Sequence, residues 1–591
     1  MTHHDTPDVP PSAPARQRRS HRLARLTLAG LGAGVLLGNL SLGGCSLVLS
    51  FDQCKTDADC DFGNGGVCND GRCVAENVAE DTGDGDGDSS GTDGTGGTDT
   101  STTTEPETDD GSGTDTGEPL DCTSHTECVA AHNNNWLCSP EGTCMSGITA
   151  ECQTLRWPNN TPQDRVVFVG SILPTSPPFD TLTLPLQNAM LLGLEDFNKE
   201  ASLPDGSKLA WIACDSRGST TLAKTAAQHL VDVGVPAIIG PLFSEEVMEV
   251  AEEVAVPNGV FVLAPAATNK AITHLDDDDL VWRTIASDVY QANALADRMN
   301  AIASLDSTVI VYKNDAYGTD LTVDAYAALS APLMAATKTY PYQVHADMED
   351  LLDEIAALLG PIVANDQPET LVIVGTSEAT AIILTYLAVA SQINPQLIPE
   401  RFIMTHGAVP GMTTTINSAP NDPTRQLLYS LMEGVAPIIF DETNFNAFNI
   451  RYKIRFNDQD AITTSSLTYD SLLVIGFAMA AIPDGEPVTG ANIAAQMHRL
   501  VDKSGPLINF SGGTSFIATA VNALSTGNSV DLRGVSGPLD FDLETGDIRT
   551  NYIGWEVAPI AGDLTKPALV PQRMYVLHDE PATDGVWIDL P

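Results

Sequence analysis

From about residue 165 to the C-terminal region, short apolar runs alternate with segments of helical periodicity. Alternation of this kind specifies a parallel α/β sheet, because each strand must be followed by a helix that crosses back over the sheet. Residues 166–169 read as a strand, 186–197 as a helix and 209–213 as the next strand. A helix follows from Thr220, with Leu222, Ala226, Leu230 and Val233 as its apolar stripe and Gly234 as its stop. Residues 237–239 form a strand, Ser244 opens a helix, and 260–263 form another strand. The pattern resumes at 308–312, 370–374 and 402–405. Two successive sets of β-α units are expected to build two lobes rather than one.

The chain has 591 residues, enough for three to four folding units at about 150 residues each. Its hydrophobic fraction of 43% supports a large core. The formal net charge of −49 repels phosphate backbones and argues against nucleic acid as a partner.

Residues 1–44 read as an export signal. Arg16, Arg18, Arg19, Arg22 and Arg25 form a basic start, an apolar stretch runs over 26–42, and Leu42-Gly43-Gly44-Cys45 closes it. Small residues before a cysteine are similar to a bacterial lipoprotein cleavage site, which makes Cys45 the expected lipidated residue and a bacterial envelope membrane the expected location, facing periplasm or exterior. Ten further cysteines remain of the eleven, an even number suited to disulfides in an oxidising compartment. Eight fall in two four-cysteine modules, Cys54, Cys60, Cys68, Cys73 (45–79) and Cys122, Cys128, Cys138, Cys144 (121–151). Gaps of four to nine residues between them fit zinc ligation poorly, so disulfides are expected, with the connectivity open and no metal. Cys152 and Cys214 are left to bridge each other. Between the modules, 80–120 is an Asp/Gly/Ser/Thr tract too poor in apolar residues to fold, and it reads as a disordered linker spanning roughly 35 Å. A calcium loop starting at Asp84 is excluded, because Ser89 and Thr95 stand where Gly and Glu are required.

Several segments, in order, resemble the type I periplasmic binding proteins of the branched-chain amino-acid class. They are Val235-Pro236-Ala237-Ile238-Ile239-Gly240-Pro241-Leu242-Phe243-Ser244, Leu263-Ala264-Pro265-Ala266-Ala267-Thr268, Arg283-Thr284 with Ser287-Asp288 and Gln291, and Asn314-Asp315-Ala316-Tyr317-Gly318. Tyr469-Asp470 and Gly537-Pro538-Leu539-Asp540-Phe541-Asp542 with Gly546-Asp547 complete the series. The resemblance covers roughly residues 165–590 and implies the two-lobed, hinged type I fold. One lobe comprises 162–284 and 436–543, the other 285–435 and 544–591, with hinges near Ile285 and Val435. It implies binding of a small polar ligand, such as an amino acid or amide, for an ABC permease, with no cofactor.

In the family a Ser at a helix start and a Pro-Ala-Ala-Thr turn hold the ligand's carboxylate, and a tyrosine of the other lobe lies against it. The matching positions are Ser244, Ala266, Thr268 and Tyr317. Ser244 alone also reads as an ordinary helix N-cap. Glu245 and Glu246 sit beside it, and they would oppose an anion unless they point to solvent. The loops ending in Ser377 and containing His406 each follow a strand, where open α/β sheets bind ligands. The second loop carries Glu in amino-acid binders that resemble this chain, and here it is Thr405-His406-Gly407. That departure speaks against a leucine-like ligand. No H-E-x-x-H or phosphate-cradling Gly-Lys motif occurs, and the one G-x-S-x-G match, Gly87 to Gly91, falls in the linker, so no enzyme is expected. The long spacer and modules leave open a sensory receptor or an envelope scaffold built on the same fold.

Overall fold

The computed structural model describes residues 66–69, 72–75 and 121–590, except 344, 346 and 347. Two compact units result, 1–112 and 113–591. In the first, Gly66–Asn69 and Arg72–Ala75 form an antiparallel hairpin. The export signal, Cys45, the bonding of Cys54, Cys60, Cys68 and Cys73, and the linker lie outside the described residues.

Among the described residues the second unit contains two two-stranded sheets, Trp136–Cys138 with Cys144–Ser146 and Leu507–Asn509 with Asp531–Arg533, and two large ones. The first is six-stranded, built from β1 (Thr154–Arg156), β2 (Val166–Leu173), β3 (Lys208–Asp215), β4 (Ala237–Ile239), β5 (Phe261–Ala264) and β6 (Val281–Arg283), in the order β6-β5-β4-β2-β3-β1. All pairs are parallel except β1 with β3. Strand alternation sends Val169, Trp211, Ile239 and Leu263 into one core and Phe168, Ile212, Ile238 and Val262 into the other. Sheets buried on both faces produce the continuous apolar runs seen in the sequence. Helix α1 (Asp180–Glu200) and helix α6 (Ser465–Ala481) cover the first face. Helices α2 (Thr220–Asp232) and α3 (Ser244–Val250) cover the second. Of the expected stripe of α2, Ala226, Leu230 and Val233 are buried and only Leu222 departs. Leu222 is half-buried, and Ala223, Ala226, Ala227 and Leu230 face the sheet, since small side chains let the helix approach closely. At Gly240 the backbone has φ +102°, and a Cβ would collide with the Ile172 carbonyl.

The second sheet has eight strands, β7 (Thr308–Lys313), β8 (Thr337–Tyr342), β9 (Thr370–Val374), β10 (Arg401–Met404), β11 (Met432–Pro437), β12 (Tyr552–Ile560), β13 (Asp563–Leu577) and β14 (Gly585–Asp589). Their order is β8-β7-β9-β10-β11-β12-β13-β14, parallel as far as β11 and antiparallel thereafter. Helices α4 (Asp288–Ile302) and α5 (Ala316–Ala327) pack on one face of it.

The chain passes between the lobes around Ile285, Ile439 and Thr550. The passages are tied together by the Ala286–Ile548 bridge and the Ile438 N–H to Asn551 carbonyl bond of 2.9 Å. Val435 lies within β11 and its core, so the second passage falls beyond Pro437 rather than at Val435. Asp547 and Ile548 pack with the first lobe, through Arg283 and the core beneath α6.

The second cysteine module is bonded 1–3 and 2–4, Cys122–Cys138 and Cys128–Cys144. The sulfurs of Cys122, Cys128 and Cys138 lie close enough together to resemble a metal site, but all three are in disulfides, whose sulfurs are not the thiolates that zinc requires. The module is docked on the first lobe. Leu137 is fully buried in the core beneath α2, and the Trp157 indole donates to the Asn134 carbonyl at 2.7 Å. The Cys152–Cys214 disulfide joins the segment before β1 to β3, as expected. Among the described residues, no helix is long and apolar enough to cross a membrane.

Candidate functional site

A cavity of about 440 Å³ opens between the two lobes, at the ends of their parallel strands. Ser244, Ala266, Thr268, Tyr317 and His406 all line it, so five of the six expected positions converge from separate elements of both lobes. Ser377 is half-buried and is not in the wall, and its neighbour Thr376 takes that place. Leu186, Leu242, Val409, Met412, Ile439, Phe440, Leu467, Ile553 and Leu569 make most of the remaining wall apolar. These come from loops and strands far apart in sequence, and no local pattern marks them as neighbours.

Ser244 is the first residue of α3 rather than its cap. Phe243 holds the cap position, and the Ser244 hydroxyl accepts from the Asn269 amide at 3.2 Å. Thr268 follows β5 in the turn and donates to Asp288 Oδ2 at 2.9 Å. Asp288 opens α4 immediately after the first passage, and burial pushes its carboxyl up to about 7 against the pull of Thr268, Arg283 and Gln291. Gln291, one turn on, donates from Nε2 to Asp288 Oδ1 at 3.0 Å. Its Oε1 accepts from the His406 backbone N–H at 3.2 Å and lies 2.9 Å from His406 Nδ1. His406 is half-buried in the cavity wall, and desolvation lowers its pKa to about 4, so it is neutral at physiological pH. Tyr317 stands edge-on to that ring at 5.6 Å and shares a 2.8 Å hydrogen bond with Thr405. Gly407 lets this loop close up, since a Cβ there would lie 2.5 Å from the Gly375 carbonyl.

The charged groups sit at the same end. Lys313 bonds Asp315 at 2.8 Å and lies 4.7 Å from the centre of the Phe243 ring across the cleft. Burial opposes its charge, but Asp315 and Glu378 outweigh it and raise the lysine's pKa. Glu378 accepts from the Thr376 hydroxyl at 2.5 Å and from Tyr342 at 2.7 Å. Burial works against its ionisation, yet Lys313 and these bonds hold its carboxyl below the ordinary range. Glu245 is exposed, whereas Glu246 is buried, so only the first of the two points to solvent. Helix α3 lies flat on the lobe, so the two adjacent residues face opposite ways.

Three contacts join the lobes beside the cavity. Asn269 donates to the Ala316 carbonyl at 2.7 Å and to Asp320 at 3.1 Å, and Lys270 pairs with Asp324 at 2.8 Å.

Two lobes with parallel sheets, three passages and a cavity between them define a hinged solute receptor. The family model for periplasmic binding proteins matches residues 166–519, and the chain belongs to that family of solute-binding proteins. Solved structures with the same fold include a solute binding protein of an ABC transporter from Rhodopseudomonas palustris BisB5, in complex with 3,4-dihydroxybenzoic acid. It is 15% identical, with 71% of this chain and 99% of that one covered and a TM-score of 0.52. A leucine binding protein from Thermotoga maritima is 17% identical over 68% of this chain and 97% of that one, with a TM-score of 0.50. An R. palustris solute binding protein in complex with 4-hydroxybenzoate is 14% identical over 69% and 97%, also with a TM-score of 0.50. No curated protein matches the chain.

Proposed function

We propose that this protein is a lipid-anchored receptor of the cell envelope that closes its lobes on a small solute with an apolar body and a polar head, and presents it to an ABC permease. The carrying observation is the inter-lobe cavity, whose walls are mostly apolar and whose polar groups collect around Ser244, Thr268, Tyr317, Thr376 and His406. Such a combination suits ligand pockets generally, with apolar area for affinity and a few polar groups for orientation. The neighbours of the fold hold an aromatic acid or bear a leucine-binding name, so the scaffold accepts bodies of this size. The apolar walls shift the expected ligand from a small polar one to an amphipathic one. Closure would be a rigid-body movement about the three passages, driven by contacts that exist only when both lobes meet the ligand.

A thermal-shift screen of small aliphatic and aromatic amides, alcohols, amines and acids tests this reading. A solute at 100 times its Kd stabilises by about 2.7 kcal/mol, and Ala266→Trp, which fills the cavity, should abolish the shift. An undiminished shift in that variant would place the solute elsewhere. Anchoring is tested separately. Labelled fatty acid should enter the wild-type chain and not Cys45→Ser.

A further inference from the structure

The hydrogen-bond directions around the cavity are fixed by groups behind it. A backbone N–H can only donate, so Gln291 Oε1, which receives the His406 N–H, is identified as the oxygen. The amide orientation follows, and Gln291 Nε2 faces Asp288 as the donor. His406 Nδ1 lies 2.9 Å from the same oxygen and must carry a hydrogen to bond it. In a neutral imidazole the other nitrogen, Nε2, then keeps a bare lone pair. Among the described residues Nε2 has no hydrogen-bond partner, while the ring lines the cavity.

The hydroxyls beside it are oriented in the same sense. Thr376 gives its proton to Glu378, and Thr268 gives its proton to Asp288 whenever that carboxyl is ionised. Both therefore turn oxygen lone pairs to the cavity. The one cation in the wall, Lys313, is engaged by Asp315 and has Glu378 and Glu246 near it. Ser244, which accepts from Asn269, keeps its own proton available.

We infer that the head of the bound solute is a hydrogen-bond donor, an amide, hydroxyl or amine, and is not a free carboxylate. The inference rests on the reading of this cavity as the solute site and narrows its substrate class. It reverses the carboxylate-holding role that Ser244, Ala266 and Thr268 take in the resembling amino-acid binders. A primary amide fits all the partners at once. Its N–H groups meet His406 Nε2 and Thr268 or Thr376, and its carbonyl accepts from Ser244. A carboxylate offers only lone pairs to these acceptors, with Asp315, Glu378 and Asp288 close by, and the Ser244 hydroxyl and the Asp315-paired Lys313 do not compensate. Gln291 touches no solute. It is a positioning residue that sets the His406 tautomer.

The test has two arms at pH 8. In the first, calorimetry compares benzamide with benzoate and 4-methylpentanamide with 4-methylpentanoate. Each amide should bind at least ten-fold tighter than its acid, and Gln291→Met should narrow that ratio. An acid that binds as tightly as its amide overturns the inference. In the second, selective ¹⁵N-histidine labelling of the wild-type protein, assigned by loss of the signal in His406→Ala, should show Nδ1 protonated and Nε2 bare. A proton on Nε2 overturns the inference without any ligand and without relying on a variant that folds. Amides that keep their advantage in Ala266→Trp would overturn the cavity as the solute site instead.

Discussion

Glu246 is the sharpest electrostatic liability in the first lobe. It is 1% exposed, and among the described residues neither carboxylate oxygen has a hydrogen-bond partner in good geometry, Ser216 and the Phe243 amide being only loosely placed. Burial pushes its carboxyl from 4.5 up to about 7, although Ser216, the Phe243 amide and Lys313 pull the other way and Asp215 adds to the rise. Between pH 4.5 and 7 the folded protein keeps a proton that the unfolded chain has released, so stability falls as pH rises through this window. Above pH 7 the whole penalty applies, and a rise of this size corresponds to roughly 3 kcal/mol. Met has a similar length and no charge to desolvate. Glu246→Met should stabilise the protein at every pH, because it also removes an unsatisfied buried group. Its advantage should grow by about 2–3 kcal/mol between pH 5 and pH 8. Urea unfolding of both proteins at four pH values, with Trp fluorescence as the signal, measures the difference. A gain that is flat with pH would show that the carboxyl is solvated in the folded state. A loss of stability at pH 8 would show that its charge is used.

Thr268→Ala removes the hydroxyl bonded to Asp288 and should weaken solute binding by about 1–3 kcal/mol with the fold intact by circular dichroism; unchanged affinity would remove Thr268 from the site. Lys270→Ala deletes a half-exposed pair that joins the lobes, worth roughly 0.5–1 kcal/mol. Solute affinity should fall about two- to five-fold, and small-angle scattering should show a larger unliganded particle; an identical scattering profile and Kd would rule the pair out as a latch. Replacing Cys152 and Cys214 together by Ser opens a link across a sequence separation of 62 residues and should cost about 4 kcal/mol in the chain-entropy account, read as a lower urea midpoint; an unmoved midpoint would mean that β1 stays docked without the bridge.

The strands buried on both faces were legible because β2, β3, β7 and β9 carry uninterrupted apolar runs that sheet burial requires. β1 has three residues and alternates around Leu155, too short a pattern to stand out. The strands β12 to β14 carry Pro559, Pro567 and Pro571 and pair through bulges, which blurs their period of two. Of the site, Ser244, Thr268 and Tyr317 were reached through ordered resemblance rather than local chemistry. Thr376 was missed by one position, because a loop after a strand gives no period from which to tell which hydroxyl turns inward. Asp288 and Gln291 stand in the recognised segments, yet their link to His406 spans 115 residues and exists only in the folded chain. The burial of Glu246 was equally hidden, since a helix of seven residues shows too little periodicity to separate its faces.

The docking of the second cysteine module on one lobe has a mechanical consequence. The buried Leu137 and the Cys152–Cys214 bridge fasten the incoming chain, stiffened by its own two disulfides, to the sheet of β1 to β6. A tether pulling from before residue 121 therefore loads that lobe and leaves the three passages unstressed. If the chain is anchored and closes on its solute as proposed, it would act as a vice with one jaw bolted down. The jaw carrying His406 and Tyr317 would swing, so a membrane-bound partner reading the closed state would sense the position of that jaw against a stationary reference.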